Sequence, residues 1–361
     1  MSHRKLLNVL TLLAVLCSGW IDVATAADKP HPFDLRPQPW QRRDEPILSA
    51  RTTKQAWCRV VCYSPHVIYH AGRFRMWYLG TSLASRSNDI VMGYAESKDG
   101  LQWTEHKQNP ILTGGDIPWG RIVQTPFVLF DTDEKLYKMW FVSGAGIGRD
   151  NAGKVVSNDQ RLGYATSSDG ISWKVRAEPI YVSGRSPSVI KEGPNRYRMW
   201  MGSSASRESA WNDIYTTIYE FTSTDGIDWN RSEQPVLTPR EPARSTVYPF
   251  VLKRGDGYDM WHGCHVPGGR FELFCARSTD GSRWWVDHTK PAFSATGGKT
   301  DFDGRYTSTP CVVERPDRYL LYYSARDLQN EYIDGQGRKR KDGAGVYAHI
   351  GVAVIMKVSS K

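Results

Sequence analysis

The sequence predicts an all-β chain: a five-bladed β-propeller of four-stranded blades, its ring closed by the N-terminal strand. Three recurring markers carry this reading. Asp99-Gly100, Asp169-Gly170, Asp225-Gly226 and Asp280-Gly281 are each followed, three residues after the glycine, by Trp103, Trp173, Trp229 and Trp284. Met76-Trp77, Met139-Trp140, Met199-Trp200 and Met260-Trp261 end short apolar runs upstream, and Tyr322-Tyr323 holds that place in a fifth unit. Pro65, Pro126, Pro187, Pro249 and Pro310 each lead a strand-like run such as Ser188-Val189-Ile190, at spacings of 61, 61, 62 and 61 residues. A fixed period is the mark of a repeat architecture, and four-stranded units repeated radially make a propeller.

Each unit reads in the same order. A Pro-led inner strand comes first, then the Met-Trp strand, a third strand of Gly163-Tyr164-Ala165 type, and an outer strand carrying the later Trp. Asp-Gly between the third and outer strands predicts a tight hairpin. Its Asp is expected to hydrogen-bond its own backbone, and the following Trp to pack between blades. Glu192-Gly193-Pro194 falls between the first two strands of the third unit and reads as a turn. The fifth unit lacks its Asp-Gly…Trp strand. Trp40 followed by Pro46-Ile47-Leu48 repeats the missing spacing, so the N-terminal segment is expected to pair with the strand around Ile350–Val354. Such a pairing hides a sheet edge.

The chain opens with Arg4 and Lys5, an apolar run from Leu6 to Leu16, and the small-x-small site Ala24-Thr25-Ala26. That order predicts a secretory signal peptide over residues 1–26, too short to span a bilayer, and a single mature domain over residues 27–361. The expected location is secreted or periplasmic, and no later stretch reads as a membrane span. Removing residues 1–26 takes the formal net charge from +9 to +8. A basic exported protein favours acidic polysaccharide, anionic lipid or cell wall as partner, and export argues against nucleic acid. Five cysteines remain, an odd number: Cys58, Cys62, Cys264, Cys275 and Cys311. No Cys/His cluster shows zinc spacing, and no phosphate loop, dinucleotide fingerprint or nucleophile elbow is present. No metal and no cofactor is therefore expected. A hairpin centred on Gly268-Gly269 sets Cys264 opposite Cys275, within disulfide reach.

With its Pro-led inner strands, Met-Trp second strands and Ser-x-Asp-Gly-x-x-Trp turns, the chain resembles the arabinanase, invertase and levansucrase type of glycoside hydrolase propeller. The likeness covers nearly the whole mature chain. It implies a carbohydrate substrate bound over the channel, at the face where the inner strands begin. It also implies two carboxylates, one a base or nucleophile and one a general acid, with an Asp just before an inner-strand Pro. Those positions hold Ser64, Thr125, Ser186, Tyr248 and Thr309. Either the carboxylates come from other loops of that face, or the propeller binds without cutting.

The candidate acids are Asp89, Asp159 and Asp213, each in an Asn-Asp pair just before a third strand, and Asp327 at a second-strand end. Asn-Asp is equally good loop chemistry. Asp116, Glu241, Asp301 and Asp303 lie just ahead of inner strands. Arg121, Arg244 and Arg305 stand five residues before the inner-strand Pro, Arg59 six and Arg185 two. A ring of guanidinium groups suits bidentate capture of carboxylate or sulfate; the same residues can instead tie blades together. His265, ending the second strand of unit four, can orient sugar hydroxyls or relay a proton. Arg338-Lys339-Arg340-Lys341 lies on the same face. The expectation is an exported glycosidase-like propeller acting on an acidic or furanose-containing polysaccharide by acid/base hydrolysis. The alternative is a non-catalytic glycan-binding propeller. The sequence does not indicate the oligomeric state.

Overall fold

Each period of the sequence folds as an antiparallel meander. The computed structural model describes residues 39–82, 90–149, 155–203, 216–341 and 347–357, an all-β structure interrupted only by two short 3-10 turns. The first unit comprises Val61–His70, Arg73–Thr81, Val91–Ser97 and Thr104–Glu105. The second comprises Gln124–Asp131, Leu136–Arg149, Val155–Ser167 and Lys174–Val175. The third comprises Arg185–Gly193, Arg196–Gly202, Ile218–Ser223 and Asn230–Arg231. The fourth has Val247–Arg254, Gly257–Val266 and Arg270–Ser278, extended by the Arg277–Trp285 bridge. The last has Tyr306–Glu314, Arg318–Arg326 and Ala348–Met356. Against this last strand lie the N-terminal pieces: Gln41 faces Val354, Arg42 faces Ala353, and Leu48 faces Ile350. The described residues form one compact unit.

The Asp-Gly turns are built as their chemistry dictates. Asp169 Oδ1 accepts from the amides of Ile171 and Ser172 at 2.8 Å each. Burial works to raise this carboxyl, but those amides and the Ser167 hydroxyl outweigh it and hold it at about 2. Asp99, Asp225 and Asp280 repeat the arrangement. Each glycine sits at φ of 78–79°, a left-handed conformation that glycine adopts at no steric cost.

The turn glycines also tie the units together. Trp77 Nε1 donates to Gly170 O at 2.7 Å, Trp140 Nε1 to Gly226 O at 2.7 Å, and Trp200 Nε1 to Gly281 O at 2.8 Å. Tyr322 OH, in the last unit, donates to Gly100 O in the first at 2.9 Å. These donors are buried. A Cβ on Gly170 or Gly226 would stand 3.0 Å from the Trp77 or Trp140 ring, so conformation and close approach both demand glycine.

The inner strands pack side by side: that of unit one on that of unit two, two on three, three on four, four on five, and five on one. In each, the residue before the proline is left-handed: Ser64 at φ 53°, Thr125 at 42°, Ser186 at 56°, Tyr248 at 59° and Thr309 at 46°. The register shifts there in all five strands. Such a bulge bends a strand and re-aims the side chains beside it.

One expectation is corrected. Cys264 faces Glu272 and Cys275 faces Trp261, because the hairpin turns about Gly268, between Val266 and Arg270. The odd offset sends the two thiols to opposite faces of the sheet, and both are free.

The clamp predicts a stability effect. Trp140→Phe takes one of two indole donors from the buried Gly226 carbonyl, leaving Trp229 Nε1 at 3.0 Å, and is expected to cost about 0.5–1.5 kcal/mol. Gly226→Ala is expected to cost on the order of 1–2 kcal/mol through its positive φ. Because both act on one contact, the double variant should lose less than the sum of the two. Urea denaturation of the four proteins measures this.

Candidate functional site

The channel between the inner strands is almost filled. The residues just after three of the prolines, His66, Phe127 and Phe250, meet across it with ring centroids 4.3, 6.2 and 6.1 Å apart. Together with the five pre-proline residues and their prolines they line a void of about 30 Å³, room for about one water. The His66 ring nitrogen Nε2 lies 2.7 Å from Val128 O, where its N–H donates. Burial pushes the His66 imidazole down to about 4. The mouth of the channel is the end where the inner strands begin.

At that mouth Arg185 organises a polar cluster. Its Nη1 donates to Gln160 Oε1 at 2.6 Å and to Gln124 Oε1 at 3.3 Å, and its Nη2 donates to Tyr248 OH at 3.1 Å. Gln124 and Arg185 hold the same repeat position, two before the proline, one unit apart. An aromatic chain continues from Tyr248 to Phe271 at 5.9 Å and on to Tyr306 at 6.1 Å. Arg305 lies over Tyr306 at 5.0 Å, and the His265 ring stands edge-on to Phe271 at 4.7 Å. His265 is exposed, with Nδ1 2.9 Å from Ser245 Oγ. Amides, a guanidinium and phenol faces are the groups with which proteins meet sugar hydroxyls and sugar rings. Gln124, Gln160, Tyr248 and Tyr306 were not singled out from sequence as ligand-facing groups. The pre-proline alignment could have flagged Gln124 beside Arg185, and Tyr248 as the one aromatic among small residues.

Arg121, Arg244 and Arg305 share one repeat position. Their amides donate to Gly144 O, His265 O and Arg326 O at 3.0, 2.9 and 2.9 Å, each in the later part of its own unit's second strand. Arg121 and Arg244 are exposed; Arg59 and Arg305 are half-buried. Among the described residues, no Asp or Glu forms an ion pair with Arg59, Arg121, Arg244 or Arg305 within 4.0 Å.

The acids of this face are mostly engaged. Asp159 accepts from Arg161 Nε at 2.6 Å and from the Ala145 amide at 2.9 Å, and stays half-exposed. Asp327 is buried, paired with Arg51, 2.9 Å from His349 Nε2, and accepts from the Gln329 amide at 2.9 Å. His349 Nδ1 in turn lies 2.9 Å from Ser49 Oγ, so Asp327 anchors the N-terminal segment to the last strand. Burial lowers the His349 imidazole against the opposing pull of Asp327. Asp303 is held by Arg42 and by Tyr323 OH at 3.0 Å. Asp116 caps a short 3-10 turn through the Thr113 amide at 2.8 Å. Asp89, Asp213 and residues 1–26 lie outside the described residues.

Sequence spacing gave no metal centre, yet the fold gathers His262, Cys264 and His288, with one ligand atom of each within 4.8 Å of the others. The fourth unit places the first two on its second strand, and His288 arrives from the segment after its outer edge.

No protein-family model matches the chain. Uncharacterized protein Rv1502 of Mycobacterium tuberculosis (strain ATCC 25618 / H37Rv) is 28% identical over 138 residues, which is 38% of this chain and 44% of that protein. The chain thus spans less than half the length of that curated relative. A GH130-family structure has TM-score 0.61 at 16% identity, over 90% of this chain and 95% of its own; it comes from work on glycoside hydrolases that target β-1,2 mannosidic linkages in Candida mannan. An N-acetylgalactosamine deacetylase from F. plautii, bound to blood group B trisaccharide, has TM-score 0.60 at 16% identity over 89% and 96%. A thermostable family-43 glycoside hydrolase has TM-score 0.58 at 14% identity over 83% and 93%. The fold is that of the glycoside hydrolase propellers, which the repeat motifs resemble.

The channel histidine makes stability pH-dependent. Its folded imidazole titrates at about 4, below the unfolded value of 6.5. As pH falls from about 6.5 towards 4 the unfolded chain takes up the proton first, so His66 withdraws up to about 3 kcal/mol of stability and nothing more below 4. His66→Gln, which keeps a donor for Val128 O, should flatten that part of the unfolding free energy against pH, measured by denaturant titration at several pH values.

Proposed function

We propose that the chain is a five-bladed propeller, closed by its N-terminal segment, that is exported and acts as a glycosidase-like protein on a polysaccharide or oligosaccharide. The closure reading rests on the Tyr322–Gly100 bond and on the pairing of Gln41–Arg42 and Leu48–Ser49 with the last strand. The observation that carries the function is the Arg185–Gln124–Gln160–Tyr248 cluster at the channel mouth of a glycoside hydrolase fold. It offers donors, acceptors and a ring face to a carbohydrate. The substrate class is an acidic or furanose-containing glycan. Arg59, Arg121, Arg244 and Arg305, without carboxylate partners among the described residues, are the groups to receive its charge.

Hydrolysis would draw on two carboxylates of this face, from Asp89, Asp159, Asp213 and Asp327. One protonates the glycosidic oxygen; the other acts as nucleophile or activates water. Asp159, half-exposed and gripped by Arg161, suits the second role, because its carboxylate is open to water while Arg161 fixes its orientation. Asp327, enclosed by Arg51 and His349, suits a structural role better. A second reading, glycan binding without cleavage, is favoured by one specific observation: all five left-handed pre-proline positions carry Ser, Thr or Tyr instead of an acid.

The two readings separate in one set of assays. With a uronic-acid-rich polysaccharide, Asp159→Asn should cut reducing-end release by about 10²–10⁴-fold while changing affinity little. Wild type that binds the glycan but releases no sugar supports the binding module instead. Arg121→Ala with Arg244→Ala should weaken the acidic glycan by about 3–10-fold, as expected for exposed charges, and leave a neutral one nearly unchanged. Equal losses on both glycans would remove the anionic reading.

A further inference from the structure

The cluster in the fourth unit is built for more than packing. His262 and Cys264 alternate along the second strand, so both side chains leave the same face. His262 is 0%, Cys264 0% and His288 4% exposed. The His262 and His288 rings cross at 89° with centroids 5.6 Å apart, and Cys264 Sγ lies 3.5 Å from His262 Nδ1. Two of the polar atoms are orphans: neither His262 Nε2 nor His288 Nε2 has a hydrogen-bond partner, though both are buried. A buried imidazole nitrogen left without a partner is costly and calls for an explanation. Here two occur in one cluster, with a thiol beside them. Around them pack Phe274, Ala243 and Val266, an apolar shell that offers no alternative hydrogen bond through its side chains.

We propose that His262, Cys264 and His288 bind a divalent metal ion of the zinc class. Two imidazoles and a thiolate form a nitrogen–sulfur set that suits zinc and excludes hard ions such as calcium. In a tetrahedral zinc centre neighbouring ligand atoms stand roughly 3.3–3.8 Å apart, given metal–ligand bonds of about 2.0–2.3 Å. The present spread of up to 4.8 Å closes with small side-chain movements. Binding displaces the Cys264 proton to solvent, leaving a thiolate ligand. It also asks something of His288. The Arg240 amide donates to His288 Nδ1 at 3.2 Å, which puts the ring proton on Nε2. Ligation through Nε2 moves that proton to Nδ1 and gives up this long contact. Glu272, buried and directly opposite Cys264 in the strand register, pairs with Arg270 at 3.3 Å and stands outside the ligand set. The ion would pin the segment carrying His288 to the second strand of its unit, between the two isolated bridges, Arg277–Trp285 and Leu273–Phe293, that hold the outer edge.

The test uses the full chain without an affinity tag, stripped with chelator and dialysed separately against Zn²⁺, Co²⁺ and Ca²⁺. About one zinc per chain should be retained, and no calcium above background. The cobalt form should show a near-ultraviolet thiolate-to-metal band together with the visible bands of a tetrahedral ion. Cys264→Ser should abolish the thiolate band, and His288→Ala should weaken zinc by at least about tenfold. Circular dichroism reports whether each variant is folded. If a variant fails to fold, the wild-type cobalt spectrum still decides. A folded wild type that retains no zinc, a cobalt spectrum without a thiolate band, or equal zinc retention in folded variants overturns the proposal.

Discussion

The bond from a second-strand indole or phenol to a turn glycine of the next unit is the constraint on which the rest of the structure depends. Each clamp needs a large donor within one second strand and a bare, left-handed backbone in the neighbouring unit. Both partners are buried, so the bond forms away from competing water, and the Gly100, Gly226 and Gly281 carbonyls accept a second indole from Trp103, Trp229 and Trp284. Three clamps are Trp to Gly, and the fourth, Tyr322 to Gly100, joins the last unit to the first. The N-terminal pieces on the last unit carry no Asp-Gly turn. Arg42 serves there as a latch: it pairs with Asp303 and lies 4.3 Å from the Phe293 ring centroid. A charged latch can reach a loop that a short indole contact cannot.

Fixing the units at one mutual spacing brings the inner strands close enough for their post-proline side chains to meet. Three of these are rings, and they plug the channel. Beyond the plug lies the mouth, where the inner strands begin. There the left-handed pre-proline residues recur in all five units whatever the side chain is. The backbone geometry is thus a property of the frame, while the chemistry is a property of the residue placed on it. The frame is that of glycoside hydrolases, and the residues at these five positions are neutral.

Charge at the mouth follows from how the acids are used. Asp327, Asp303 and Asp159 each meet an arginine, and two of them tie the N-terminal segment to the body of the fold. Asp327 and Asp303 are therefore committed to structure, while Asp159 stays half-exposed. Arg59, Arg121, Arg244 and Arg305 meet no carboxylate among the described residues, and the proposal of an anionic ligand rests on that.

The sequence by itself determined the repeat, the strand order within it and the Asp-Gly turns, because these follow from local backbone preferences copied every 61 or 62 residues. It also placed the N-terminal pieces against the last strand, since Trp40 and Pro46-Ile47-Leu48 reproduce a local spacing. Only the tertiary structure decided which side chains meet. Arg185 finds Gln124 and Tyr248 in the neighbouring units, residues more than 60 positions away. His262 and Cys264 find His288 through a turn whose length no motif records. Cys264 and Cys275 part company because the hairpin turns about Gly268, which sets Cys264 opposite Glu272, an odd three residues before Cys275 and so on the other face. Period and propensity are read along the chain, whereas a site is assembled across it by register and packing.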